Sequence, residues 1–342
     1  MPYKLLTAVV CFLTTVTAFA QPITPKEKDI LFTNAKKLFT QHYHFKDKVQ
    51  PTVQYLDQLW KRGAYKSYTT VSAFTDALAK DLKHITQDGH LNFFYQPAYL
   101  AVPAEAAPQI PWGLVNEKFL NNGLTDVKVL AGDIGYMKLQ AFGSIEDVLA
   151  GTFIFLQNTR ALIIDLRGNG GGMLSNGLIS YLLPEDSIHL STIFWNDHTD
   201  SIYTYRKLAG PRFLDKPVYV LIDHGTFSSA EEFAYDLQQL KRATLVGETT
   251  GGGANPGGLM PVYTFADSSR VDLYVSTAHV ENPISKTNWE GKGVQPDVPV
   301  DSKEALTKAH TMALELLAQQ EPNKELQKRY REIAVDIAKV KQ

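Results

Sequence analysis

Val218-Tyr-Val-Leu-Ile-Asp-His-Gly-Thr-Phe-Ser-Ser-Ala-Glu-Glu-Phe-Ala-Tyr-Asp-Leu237 decides the fold. Its first six residues are a short β-branched and apolar run, bounded by Pro217 and Gly225, which predicts a fully buried strand. Gly225-Thr-Phe-Ser-Ser229 then turns the chain into a helix reaching Leu240. Both Ser228-x-x-Glu231 and Ser229-x-x-Glu232 satisfy the capping-box pattern, so either serine could begin that helix as a plain cap. A serine at such a turn could instead stand exposed above a sheet, as a nucleophile must. Local sequence does not choose between Ser228 and Ser229.

Two more units repeat this grammar. Ala161-Leu-Ile-Ile-Asp165 runs into Gly168-Asn-Gly-Gly-Gly172, with a helix expected over Met173 to Leu183. Ala243 to Gly247 runs into Gly251-Gly-Gly253. Buried strand, glycine or serine turn and helix, repeated, predict an α/β sheet whose ligand site lies at the C-terminal strand ends. Glycines directly after a strand let backbone N–H groups face an anionic oxygen. Neither glycine run fits a nucleotide. Met173 stands where the third glycine of G-x-G-x-x-G belongs, and Gly247 to Gly253 lacks the Gly-Lys-Ser/Thr of a phosphate loop.

Before this core, apolar residues recur at helical spacing over Lys26 to Tyr43, Val53 to Tyr65 and Tyr68 to His84, which predicts a small helical domain. It closes on Asp88-Gly89-His90, and a connector rich in proline and alanine, Gln96 to Pro111, follows it. After the core, Ala305, Leu306, Ala309, Ala313, Leu316 and Leu317 form one helical stripe, and the charged segment after Pro322 reads as an exposed extra helix. The expected organisation is a signal peptide at 1–20, a helical domain at 21–105, an α/β core at 106–305 and a helical segment at 306–342.

The signal peptide is read from Lys4, the apolar run Leu5 to Val16 and the Ala18-Phe19-Ala20 site, with cleavage expected after Ala20 and export to the periplasm or medium. Cys11 is the only cysteine and leaves with that segment, so disulfides do not hold the exported chain. Across the 342 residues, 34 Lys and Arg against 36 Asp and Glu give a net charge of -2. That balance argues against a nucleic-acid partner. No run after the first twenty residues is apolar enough to span a membrane. The nine histidines are scattered, no H-E-x-x-H occurs, and neither a metal nor a cofactor is expected.

Five elements in order resemble the C-terminal processing (tail-specific) peptidases, serine peptidases with a crotonase-like core. They are Ile134-Gly-Tyr-Met-Lys-Leu139, Leu162-Ile-Ile-Asp-Leu-Arg-Gly-Asn-Gly-Gly-Gly172, Ser228-Ser-Ala-Glu231, Arg242-Ala with Val246-Gly-Glu248, and Gly291-x-Gly-Val-x-Pro-Asp297. The resemblance implies Ser228 as nucleophile, because the family separates it by twenty residues from the glutamate at 248. The family's lysine base falls on Gly253, and the stretch between helices and core is too short for a PDZ domain. Both departures are similar to the branch of tricorn-type proteases and interphotoreceptor retinoid-binding protein modules. That likeness implies His90 as base and Glu290 as its support, with Gly89 where tricorn-type enzymes carry serine. It also implies an oxyanion hole from the N–H groups of Ser229 and one glycine of 170–172, with Gly171 expected. The implied activity is a serine endopeptidase acting on a peptide or protein. A ligand-binding module without turnover and an acyl-transferring crotonase-like enzyme are the competing readings. A histidine base predicts a rate that falls with acid around roughly pH 6–7.

Overall fold

The computed structural model describes residues 21–96, 118–143, 146–173, 175–184 and 187–339. The expected signal peptide and nearly all of the proline-rich connector lie outside them. The chain first forms α1 (Pro25–His42), α2 (Lys46–Lys61) and α3 (Val71–Thr86). Thr24 and Thr70 cap α1 and α3 through their hydroxyls, which settles both start points. Helix α2 begins seven residues before the expected Val53, with Pro51 inside it. Gln87 ends α3 in the left-handed conformation, φ 56°. The chain then turns through Asp88-Gly89-His90 into β1 (Asn92–Gln96).

Six strands form the central sheet in the order β12-β8-β7-β4-β3-β2. They are β2 (Leu124–Leu130), β3 (Ile134–Leu139), β4 (Ala161–Asp165), β7 (Val218–Ile222), β8 (Thr244–Gly247) and β12 (Val298–Pro299). All pairs are parallel except β2 with β3. Every residue of β4 and β7 is buried, as a strand covered on both faces requires. Leu162, Ile164, Val220 and Ile222 face α4 (Glu146–Leu156), α5 (Asn176–Leu182) and α6 (Ser229–Gln239). Ala161, Ile163, Tyr219 and Leu221 face the opposite layer. That layer is α7 (Ala305–Gln320) and α8 (Lys324–Lys339), so the C-terminal helices are the second cover of the sheet. Helix α8, expected as an exposed extra, buries Tyr330 and Ala334 there. Helix α5 starts three residues later than expected, after the glycine loop has run on through Met173.

Two antiparallel sheets frame the site. One holds β5 (His189–Trp195), β6 (Thr199–Tyr203) and β11 (Ala278–Glu281) in the order β11-β5-β6. The other runs β1-β10-β9, with β9 (Gly257–Thr264) and β10 (Arg270–Ser276) arriving from far down the chain. The N-terminal helices build their core on this sheet: Leu31, Phe39, Phe74 and Leu82 pack with Val262, Val271, Leu273 and Val275. The boundary expected near residue 105 lies outside the described residues. Strand β10 pairs with β1 directly after His90, which fixes where that histidine stands.

Candidate active site

Ser228 follows β7 directly, at the N-terminus of α6, with φ 57° and ψ −125°. A non-glycine residue in that conformation is strained and persists only where its surroundings hold it. Its N–H donates to Glu231 Oε2 at 2.9 Å, the return bond of a capping box. Ser228 Oγ lies 3.0 Å from His90 Nε2. Serine and histidine are 138 residues apart in sequence and come from the core and the helical region respectively.

The His90 ring is held on three sides. Phe227 lies 4.7 Å away, ring centre to ring centre, and Tyr274 stacks at 5.4 Å with the planes 24° apart. The third side is Gly253. A Cβ there would overlap Phe227 Cζ and come within 2.9 Å of His90 Cε1. The family's lysine position is thus filled by the histidine and its neighbouring phenylalanine, and no longer side chain fits. Lys286 is exposed beside Glu281 at 3.8 Å, and Lys241 and Lys292 are exposed. The main chain of His90 is tied as well, its N–H donating to Asp88 Oδ1 at 3.0 Å.

Glu290 reaches the site without bonding the ring. Gly89 N–H donates to its Oε1 at 3.2 Å, and Ala254 N–H to its Oε2 at 2.5 Å. His90 Nδ1 is buried with no hydrogen-bond partner among the described residues. A ring nitrogen of His90 and carboxylate oxygens of Asp88 and Glu290 nevertheless lie within 4.8 Å of one another. The direct Glu290–imidazole bond implied by the resemblance is not made; the carboxylate is held by the backbone donors Gly89 and Ala254 instead. Burial pushes the Glu290 carboxyl up to about 7, with the Asp88 charge adding and the two N–H donors opposing. Burial holds His90 down at about 4; Asp88 opposes that and Lys83 adds to it. A ring packed between aromatic walls resists becoming charged, which favours a midpoint below the roughly 6–7 expected of an ordinary histidine.

Gly171 backs directly onto the serine. It has φ +95°, and a Cβ there would stand 2.7 Å from Ser228 Cβ. Its N–H, expected as an oxyanion donor, is engaged instead with Asn169 Oδ1 at 2.9 Å. Buried Asn169 also donates to Leu139 O and accepts from Phe227 N–H through its carbonyl, stitching the glycine loop to the serine turn. The N–H groups of Ser229, Gly170 and Gly172 have no acceptor among the described residues. Ser229 N–H, at the helix N-terminus, is thus open to an incoming anion. Sequence reasoning missed Asn169, the aromatic walls Phe227 and Tyr274, and the reach of Glu231. For Glu231 the signal was present, but it read as an ordinary capping box.

The comparisons follow this geometry. Residues 133–300 match the family model for peptidase family S41, and residues 26–122 match that for the N-terminal domain of S41 peptidases in eukaryotic IRBP. The chain is 31% identical over 181 residues to the chloroplastic carboxyl-terminal-processing peptidase 2 of Arabidopsis thaliana, covering 49% of this chain and 32% of that one. It is 32% identical over 173 residues to the carboxyl-terminal-processing protease of Synechocystis, covering 49% and 38%. The matched stretch thus spans about a third of the length of these curated relatives. Among solved structures, a candidate peptidase from Parabacteroides merdae superposes with a TM-score of 0.55 at 20% identity, covering 87% of this chain and 97% of that one. A lipoprotein from Streptococcus agalactiae gives 0.53 at 16% identity, covering 85% and 97%. These two show a shared fold.

Proposed function

This chain belongs to peptidase family S41, and from that premise we propose that it is a serine endopeptidase using Ser228 as nucleophile and His90 as general base. The observation that carries the reading is the 3.0 Å approach of His90 Nε2 to Ser228 Oγ, at a site where Gly253 leaves no room for a lysine. His90 takes the Ser228 proton as Oγ attacks the peptide carbonyl, and returns it to the leaving amine. The base must be neutral to begin, and burial of the ring keeps it so. Positive charge forms on the imidazole during attack. The nearby carboxylates of Asp88 and Glu290 stabilise it without a direct hydrogen bond in the resting state. Ser229 N–H receives the oxyanion, and the second donor is one of the free N–H groups of Gly170 and Gly172.

The substrate class is a peptide or protein. Among the described residues no helix is long and apolar enough to cross a membrane. Export is part of this reading, supported by the Ala18-Phe19-Ala20 site; N-terminal sequencing of exported protein should start at Gln21. A ligand-binding module without turnover is the second reading, favoured by the unpartnered His90 Nδ1. One experiment separates them. A fluorophosphonate probe should phosphonylate Ser228 of the purified chain, Oγ displacing fluoride from phosphorus, and Ser228→Ala should abolish both labelling and peptide cleavage. An unlabelled, folded wild-type chain that still binds peptide would support the second reading.

A further inference from the structure

We propose that Glu231 is the positioning residue that joins nucleophile and base into one unit, its carboxylate gripping the strained Ser228 backbone on one side and the glycine loop beneath His90 on the other. The proposal rests on the serine-peptidase reading above and names what aligns that site. Glu231 is fully buried and accepts four hydrogen bonds. Oε2 takes Ser228 N–H at 2.9 Å and Gly253 N–H at 2.8 Å. Oε1 takes Gly252 N–H at 2.7 Å and Thr250 Oγ1 at 2.5 Å.

A capping residue needs only the first of these bonds. The other three reach a loop about twenty residues away that touches the remaining parts of the site. Gly253 packs against the His90 ring. Gly252 O accepts from Gly291 N–H, and Ala254 N–H donates to Glu290, so the turn carrying Glu290 hangs from the same loop. Trp289 Nε1 donates to Gly253 O at 2.8 Å. Among the described residues the carboxylate of Glu231 is therefore the one group bonded both to the serine and to the seat of the histidine and Glu290. Glu232, in the equivalent place of the overlapping capping box, bonds Ser191 at 2.7 Å instead.

Charge is part of the design. Three of the four neighbours are backbone N–H groups that can only donate, so the ionised carboxylate suits them best, and Thr250 Oγ1 alone could turn to accept a carboxyl O–H. Burial pushes the Glu231 pKa up and the four donors oppose it. A neutral amide of the same shape offers one acceptor oxygen, and its NH₂ faces two donors on the other edge. With the NH₂ toward Ser228 and Gly253 both of those N–H groups lose their acceptor; with it toward Gly252 and Thr250 the Gly252 N–H loses its own, so in either orientation one edge of the carboxylate's hold is broken.

The test measures kcat and KM on one peptide, with active sites counted by fluorophosphonate titration. Glu231→Gln should keep a cooperative melt and a nearly unchanged KM while kcat falls about 10²-fold, the usual effect of small misalignment. Thr250→Val removes one donor and guards against loss of folding in the first variant. Its kcat should fall roughly 3- to 10-fold at constant KM, and Thr250→Ser should restore it. A merely structural role would lower the melting temperature and leave kcat per titrated site unchanged. Full kcat in folded Glu231→Gln, or in Thr250→Val, overturns the proposal. Ser228→Ala run in parallel separates the layers: if it is inactive while Glu231→Gln is fully active, only the role of Glu231 falls; if it is active, the peptidase reading falls too.

Discussion

Ser228 and His90 meet at 3.0 Å, yet they stand on different kinds of structure. Ser228 rises from the middle of the central sheet, after a strand buried on both faces, and its own turn, strand and helix come from one continuous stretch of core. His90 stands on a short turn between α3 and β1, held in place by β10, Tyr274, Phe227 and Gly253, all more than 130 residues downstream. The nucleophile side depends on local chain geometry: a strained φ, a capping carboxylate and a glycine behind it. The base side depends on long-range packing that fills the space around one ring. A catalytic pair built this way can lose its base while its serine stays intact.

Substitutions on the two sides should therefore differ in kind. The largest effect is expected for the pair itself. His90→Ala should reduce kcat/KM by about 10⁴-fold, close to Ser228→Ala, because members of one catalytic unit are not additive. The double variant should be little worse than either, and a clearly additive double would break the comparison.

Next comes the wall behind the ring. Gly253→Ala places a Cβ into Phe227 and against His90, so the base should shift while the Ser228 turn keeps its shape. A loss of about 10²-fold in kcat is expected, with partial recovery when Phe227→Ala makes room. No recovery in the double variant would mean the damage lies elsewhere in the loop.

Glu290→Gln should cost about ten- to a hundredfold and should also change the pH profile. With its carboxyl at about 7, Glu290 is neutral below that pH and charged above it, so activity should rise with pH through about 7. The variant should lose that limb. His90, at about 4, should limit the rate only in stronger acid, since the neutral ring is the base and protonation removes it. If the limb near 7 survives in the variant, it belongs to another group.

The smallest effect is expected at Gly89. A Cβ there would lie 3.3 Å from Phe227, a tight but tolerable fit, and the serine found in tricorn-type enzymes should enter with a change of no more than about threefold. A large gain would mean the missing hydroxyl had limited the base.

The same division explains what could be read from sequence. The strand-turn-helix units around residues 161–183 and 218–240 were legible because buried strands and glycine turns have local signatures. Ser228 itself was not separable from Ser229 by those signatures, since each heads a capping box. His90 was visible only through family resemblance: one histidine after Asp-Gly carries no periodicity, and its walls lie in β10 and in the Phe227 and Gly253 loops. The engagement of Gly171 N–H by Asn169, and of both Glu290 oxygens by backbone donors, depends on loop geometry that residue types do not encode. Helix α2 extends seven residues ahead of its apolar spacing, through Lys46 to Thr52, where mostly charged and polar residues and Pro51 carry little periodic signal. Helix α8 reads as solvated because its sequence is rich in charge, while Tyr330, Ile333, Ala334 and Ile337 turn one narrow stripe to the core.

The central claim is that a histidine from the N-terminal region, not a lysine of the core, activates Ser228. The most direct measurement is the rate of fluorophosphonate labelling (phosphonylation) at Ser228, identified by peptide mapping, in the wild-type chain and in His90→Ala, Lys286→Ala and Lys292→Ala. The expected result is fast labelling of Ser228 in the wild type and in both lysine variants, with labelling in His90→Ala slowed by several orders of magnitude. Labelling of His90→Ala at the wild-type rate, with loss in either lysine variant, would contradict it.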